Sequence, residues 1–195
     1  EAIFRTWMQD FPMVRFIFSG SHRNMMMSMF SEEARPFYRS AQIKQLETLS
    51  EVEYGSFIES HFTKAGKKIT LAQLDRIFQW TRMQTYYIQL VCNKLYSKSD
   101  KVNDTQISEV FSEIIQQEAP QFDNYQLLLT TFQRKLLVAL AREEQVANPM
   151  AQHFLRAQQL GAGSSVSAAI GMLEKKEFVI YVNGSYTLHD TLLMR

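Results

Sequence analysis

The chain has 195 residues, 46% of them hydrophobic and 21% charged, with a formal net charge of +1. That length can bury one large core or two small ones, and so small a net charge excludes a global field that would recruit nucleic acid or an anionic membrane. The single cysteine, Cys92, excludes an intrachain disulfide framework and argues against a cysteine-rich zinc site.

The first ten residues place Ile3, Phe4, Trp7 and Met8 on one face at helical spacing, and Phe11-Pro12 breaks the pattern. Val14 to Phe18 is β-branched and aromatic and reads as a short inner strand running into the small turn Ser19-Gly20-Ser21. A helix follows over 22–30, its methionines (Met25, Met26, Met27, Met29) read as core or interface fillers rather than ligands. Residues 31–40 form a loop, and 42–49 read as a second short strand. Ser50 with Glu53 has the form of a capping box opening a helix to about Lys64, which Gly66 stops.

From Thr70 the period is helical. Leu71, Leu74, Ile77 and Phe78, then Tyr86, Tyr87, Leu90, Val91 and Leu95, then Ile107, Val110, Phe111 and Ile114 mark three helices over 70–80, 85–96 and 105–117. Such helices in series predict a small bundle. Pro120 to Leu129 reads as a connector. Beyond it, helices are expected over 130–142, 148–160 and 166–176. Two alternating strands at 178–182 and 186–188 then meet at Asn183-Gly184, a strong hairpin signal. Helix, helix, helix and hairpin spell a winged helix-turn-helix. The fold class expected is therefore mostly α with a small β component. Three domains are drawn at 1–49, 50–120 and 128–195.

Catalytic chemistry is hard to assemble. The four histidines (His22, His61, His153, His189) form no close ligand pair, and no phosphate-cradling Gly-x-x-x-x-Gly-Lys-Ser/Thr occurs. No metal site or catalytic residue is assigned. Cys92 lies in an apolar helical run and reads as a buried hydrophobe. No apolar run reaches the length of a membrane-spanning helix, and no leader-like segment opens the sequence; a reducing cytoplasm suits the cysteine usage. In open parallel sheets ligands bind beyond the strand ends. Ser19, Gly20 and Ser21 would lie at such an end, with Arg23, Arg35 and Arg39 near enough to meet phosphate.

Taken in order, "FIFSGS", "ARPFYRSA", "YGSFIESHF", "TYYIQLVCNKLY", "FQRKLLVALARE" and "GAGSSVSAAIGMLEKKEFVIYVNGSYTLHD" resemble the C-terminal part of prokaryotic AAA-like ATPases of the STAND type. The resemblance implies the end of a P-loop α/β sheet, then a helical lid, then a winged helix. It implies that Ser19 or Ser21 stands at the sensor-1 position reading the γ-phosphate, with Arg35 or Arg39 near nucleotide. Gln84 and Thr85 would begin a lid helix, although Met83-Gln84-Thr85 stands where the family carries Gly-x-Pro. It implies ATP and Mg in a parent protein that hydrolyses ATP. This chain, lacking Walker A and B motifs, is expected to hold neither ligand alone and to be inactive by itself. Its first partner would be an N-terminal P-loop portion preceding Glu1, and an exposed sheet remnant would favour self-association.

The third helix of a winged helix is the one that enters a DNA groove. Here its exposed candidates are Ser164, Ser165 and Ser167, with Lys175 and Lys176 at the far end beside Glu174 and Glu177. Residues 128–195 hold seven basic against five acidic side chains. A salt-sensitive DNA grip needs several phosphate contacts from one face, so packing or protein recognition is the expected use, with DNA binding by a transcriptional regulator as the alternative.

Overall fold

The computed structural model describes residues 1–20, 23–44, 46 and 48–194. They form two compact units, 1–47 and 48–195.

The first unit contains α1 (Ala2–Asp10) and α2 (Arg23–Ser31). Its centre is aromatic: Phe18 lies 5.6 Å from Phe30 and 5.1 Å from Phe37, ring centre to ring centre. Among its described residues only Phe30 and Phe37 are buried apolar side chains, while Met13 and Ile17 are more than nine-tenths exposed. The expected strand at 14–18 is not formed, and the described part of 42–49 is not a strand either. The reason is general: a strand exists only with a partner to take its backbone groups, and no ladder among the described residues of this unit supplies one. The methionine helix does form, with Met25 and Met27 substantially exposed.

The second unit begins with a bundle of α3 (Glu51–Lys64), α4 (Leu71–Thr81), α5 (Thr85–Lys98) and α6 (Asp104–Leu127). Leu74, Ile77, Phe78 and Thr81 repeat at three and four residues and put one face of α4 inside. Tyr87, Ile88, Val91 and Leu95 do the same for α5, and Ile107, Val110, Phe111 and Ile114 for α6. Trp80 stacks on Phe111 at 4.0 Å between ring centres. Thr70 and Gln73 form a reciprocal capping box at the start of α4. The box expected at Ser50 does not form: Ser50 is the N-cap of α3 but its hydroxyl makes no capping bond. Cys92 is buried, and burial pushes its thiol up to about 12.

A larger difference concerns Pro120. Residues 120–127 are not a connector; α6 runs through the proline for 24 residues. Proline removes the donor for the carbonyl four residues back, here Gln116, and both residues are on the exposed side, where solvent can meet that carbonyl. The apolar face meanwhile continues. Phe122 packs on the bundle core and Tyr125 on the next core, its ring edge-on to Phe178 at 5.2 Å. Packing on both cores outweighs the missing bond.

The second core belongs to the winged helix: α7 (Thr131–Glu143), α8 (Gln152–Ala157), α9 (Gly163–Lys175), β1 (Val179–Val182) and β2 (Ser185–Leu188). Leu136, Leu140, Val166, Leu173 and Val179 are its most enclosed members. The strands pair antiparallel with Val179 opposite Leu188, and Val146 bridges Tyr186 on the other edge of β2. Asn183 and Gly184 both have positive φ, 52° and 81°, the pair that a two-residue turn matching strand twist requires. A short 3-10 turn, Thr191–Met194, closes the described chain.

Candidate functional site

The bundle and the winged helix meet at the turn between α4 and α5. Arg82 and Met83 there are both left-handed, at φ 53° and 59°. Each side chain in that region carries a steric penalty on the order of 1 kcal/mol, and the turn is held from outside. Arg82 pairs with Glu144, and Met83 packs on the bundle core. The Gln84 amide donates to the His189 carbonyl at 2.7 Å, and its oxygen accepts from the Thr191 hydroxyl at 3.0 Å. The same hydroxyl lies 3.2 Å from the Thr81 carbonyl.

One helical turn further along α5, the buried Tyr87 hydroxyl donates to the Asp190 carboxylate, 3.0 Å from each oxygen. Burial, then the Asp190 charge, push the Tyr87 phenol well above its ordinary value, so it stays a donor. Asp190 also accepts from the Leu192 backbone N–H at 2.9 Å, which aims Leu192 into the bundle core, where it is 3% exposed. A cleft of about 450 Å³ opens beside this seam, with Tyr86, Tyr125, Lys176, Glu177 and His189 in its lining.

The residues expected at the site are dispersed. Ser19 and Gly20 are exposed in the first unit, and Ser21 lies outside the described residues. Gly20 is close to a side chain: a Cβ there would stand 2.9 Å from the Met26 sulfur. Arg35 is held by Glu1 at 3.2 Å and by Glu32 at 3.3 Å, and Arg39 lies over the Tyr38 ring at 5.0 Å with φ 52°. Gln84 is in the seam, and Thr85 beside it is exposed. On α9, Ser164, Ser165, Ser167 and Lys175 are exposed. Lys176 donates 2.7 Å to the Leu128 carbonyl just past the end of α6.

Among the described residues no group of three or more His, Cys, Asp or Glu is placed to hold a metal ion, and none of their helices is long and apolar enough to cross a membrane. Sequence reasoning missed Tyr87, Asp190 and Thr191. These seam partners are more than 100 residues apart in the chain, and neither spacing nor composition marks such a pair.

Two comparisons bear on this arrangement. Residues 120–195 match a family described as a probable winged helix domain. A Walker-type ATPase of Pyrococcus abyssi shares the fold, with a TM-score of 0.70 at 10% identity over 99% of this chain. The alignment covers 55% of that protein, so the chain spans about half its length. No curated protein matches. The protein is mostly helical, with one two-stranded sheet among its described residues, and ends in a winged helix joined to a fold found in an ATPase.

Proposed function

We propose that the chain is the lid and winged-helix region of an ATP-binding AAA-like ATPase of the STAND type, a regulatory module coupled to nucleotide. The observation that carries this reading is the seam at Gln84. The turn where the lid of such an ATPase approaches adenine is tied, through one side chain, to both His189 and Thr191 of the winged helix. A nucleotide that displaced the 82–85 turn would change the bonds that fix the winged helix. A two-state change needs differential contacts of this kind.

ATP and Mg²⁺ would be held by a P-loop portion of the whole protein, since this sequence contains no phosphate cradle. From this chain Ser19, Gly20 and Ser21 would stand near the γ-phosphate. Among the described residues Arg39 has no ion pair to break to reach it, whereas Arg35 would exchange Glu1 and Glu32 for it. The winged helix serves protein recognition. The exposed positions of α9 toward its N-terminus are serine and alanine, which offer a DNA phosphate backbone no cation.

The test compares this chain with the product of its uninterrupted reading frame, using a fluorescent ATP analogue with Mg²⁺. Saturable binding is expected for the longer product and not for this chain. Gln84→Ala in the longer product should leave binding in place while removing the nucleotide-dependent change in protease sensitivity of the winged helix. Tight magnesium-dependent binding by this chain alone overturns the assignment. So does a longer product that binds no nucleotide.

A further inference from the structure

On the winged helix, away from the seam, α7 turns a row of side chains outward: Arg134, Val138 and Arg142, at successive intervals of four residues, with Lys135 beside them. Together with Ala139 and with Gln158 of the segment after α8 they line a groove of about 300 Å³. Val138 is half exposed in it. The cations are little neutralised. Among the described residues Arg134 bonds only to the Thr131 hydroxyl at 3.4 Å, Lys135 only to the Gln159 carbonyl, and Arg142 to none. Among the described residues the carboxylate engaged with a lining residue is Glu143, which accepts from Gln158 at 3.0 Å. In a protein of net charge +1, this is a local concentration of positive charge around an apolar floor.

From this we infer that the α7 groove is the docking surface for an acidic amphipathic helix of a protein partner. Arg134 and Arg142 are eight residues apart, about 12 Å along the helix axis, with the valine between them. The complement is a helix bearing carboxylates two turns apart and an aliphatic side chain midway: Glu at i, Leu at i+4, Glu at i+8. Guanidinium pairs such carboxylates with two parallel hydrogen bonds, and the leucine covers the half-exposed Val138. A phosphate backbone would satisfy the cations and leave the apolar floor unmatched. The inference rests on protein recognition by the winged helix and not on the nucleotide reading, so the two fail separately.

The probe is a fluorescein-labelled 16-residue peptide with that Glu-Leu-Glu spacing in an alanine and glutamine background, followed by anisotropy at two salt concentrations. Saturable binding that weakens as salt rises is expected. R134E with R142E should weaken it by about tenfold or more, R134Q with R142Q by less, and Val138→Ser several-fold. Serine in place of the peptide leucine should weaken it by the same factor as Val138→Ser. Lys64→Glu, on α3, should leave it unchanged. All three α7 side chains are exposed, so thermal melting should be the same across the set. Absence of binding overturns the inference, as does binding insensitive to the α7 variants. Displacement of the peptide by a 20-base-pair duplex would replace the partner with nucleic acid. Sedimentation showing that the unlabelled chain self-associates until R134E and R142E are introduced would replace it with a second copy of the chain. Either outcome overturns the assignment to a partner helix.

Discussion

The two units of this molecule are built from similar residues with opposite results. Residues 1–47 are rich in Phe, Met and Ile, yet among those described only Phe30 and Phe37 are buried apolar side chains. Residues 48–195 contain two dense cores. Composition therefore does not decide burial; partners do. A helix completes its hydrogen bonds within itself and needs only a surface for one face, whereas a strand lacks half its bonds until a neighbour supplies them. The α-helices of the first unit form and its strand-like segment does not.

The sharpest way to break this comparison is to remove one side chain from each unit. Leu140 is fully enclosed in the winged-helix core, and Leu140→Ala should cost about 2–5 kcal/mol. Ile17 is 93% exposed, and Ile17→Ser should change stability by no more than about 0.5 kcal/mol. Urea midpoints for the two variants measure the contrast. Equal losses would show that the first unit buries Ile17 in solution.

The next largest effect lies within the second unit, where the comparison is between its two cores. They are joined covalently by α6 and non-covalently by the Gln84 and Tyr87 bonds to residues 189–191, by the Arg82–Glu144 pair and by Leu192 in the bundle core. Tyr87→Phe removes the hydroxyl while keeping the ring, and a hydrogen bond to a charged group is worth about 1.5–3 kcal/mol. Gln84→Ala should cost about 1 kcal/mol for each bond lost. If the seam couples the cores, these variants should also separate one unfolding transition into two, seen as different midpoints by near-ultraviolet signal and by hydrogen exchange. A single transition retained in the double variant would assign the coupling to α6, the Arg82–Glu144 pair and Leu192 instead.

What the sequence made legible follows the same physics. The bundle helices and the winged helix were readable because their signals are local: apolar spacing of three and four, and Asn183-Gly184 between alternating runs. The proline rule predicts a break at Pro120, but it concerns one lost backbone bond, and the apolar face marked by Ile114 before it continues in Phe122 and Tyr125 after it. The strands at 14–18 and 42–49 were expected from residue type alone, which cannot supply a neighbour. Gln84 was singled out for a nucleotide role, and the structure places it in the seam. Tyr87 is legible as an apolar position of α5, but its bond to Asp190, like that of Gln84 to Thr191, spans more than 100 residues and leaves no local signal. The α7 groove is legible in the sequence as well: Arg134, Val138 and Arg142 share a four-residue interval, which a charge balance over the whole domain does not reveal.

An alkaline pH dependence is expected of the second unit, since Cys92 and Tyr87 both lie there. Burial pushes the Cys92 thiol up to about 12 and, with Asp190, raises the Tyr87 phenol. Unfolded, these groups titrate near about 8.5 and 10. The folded state therefore keeps protons that the unfolded chain releases as pH rises, and stability falls wherever the unfolded state binds fewer protons. The contribution is complete below about pH 8.5 and declines from there toward the folded values, first through the cysteine and then through the tyrosine. The thiol alone should remove about 1.4 kcal/mol per pH unit between about 9 and 10. Cys92→Ala should delay the onset to about pH 10, and Tyr87→Phe should leave the earlier decline in place. Urea midpoints from pH 7.5 to 10.5 separate the two. A decline that starts at the same pH in wild type and Cys92→Ala would mean that the thiol is solvated, and with it the face of α5 that closes the bundle core.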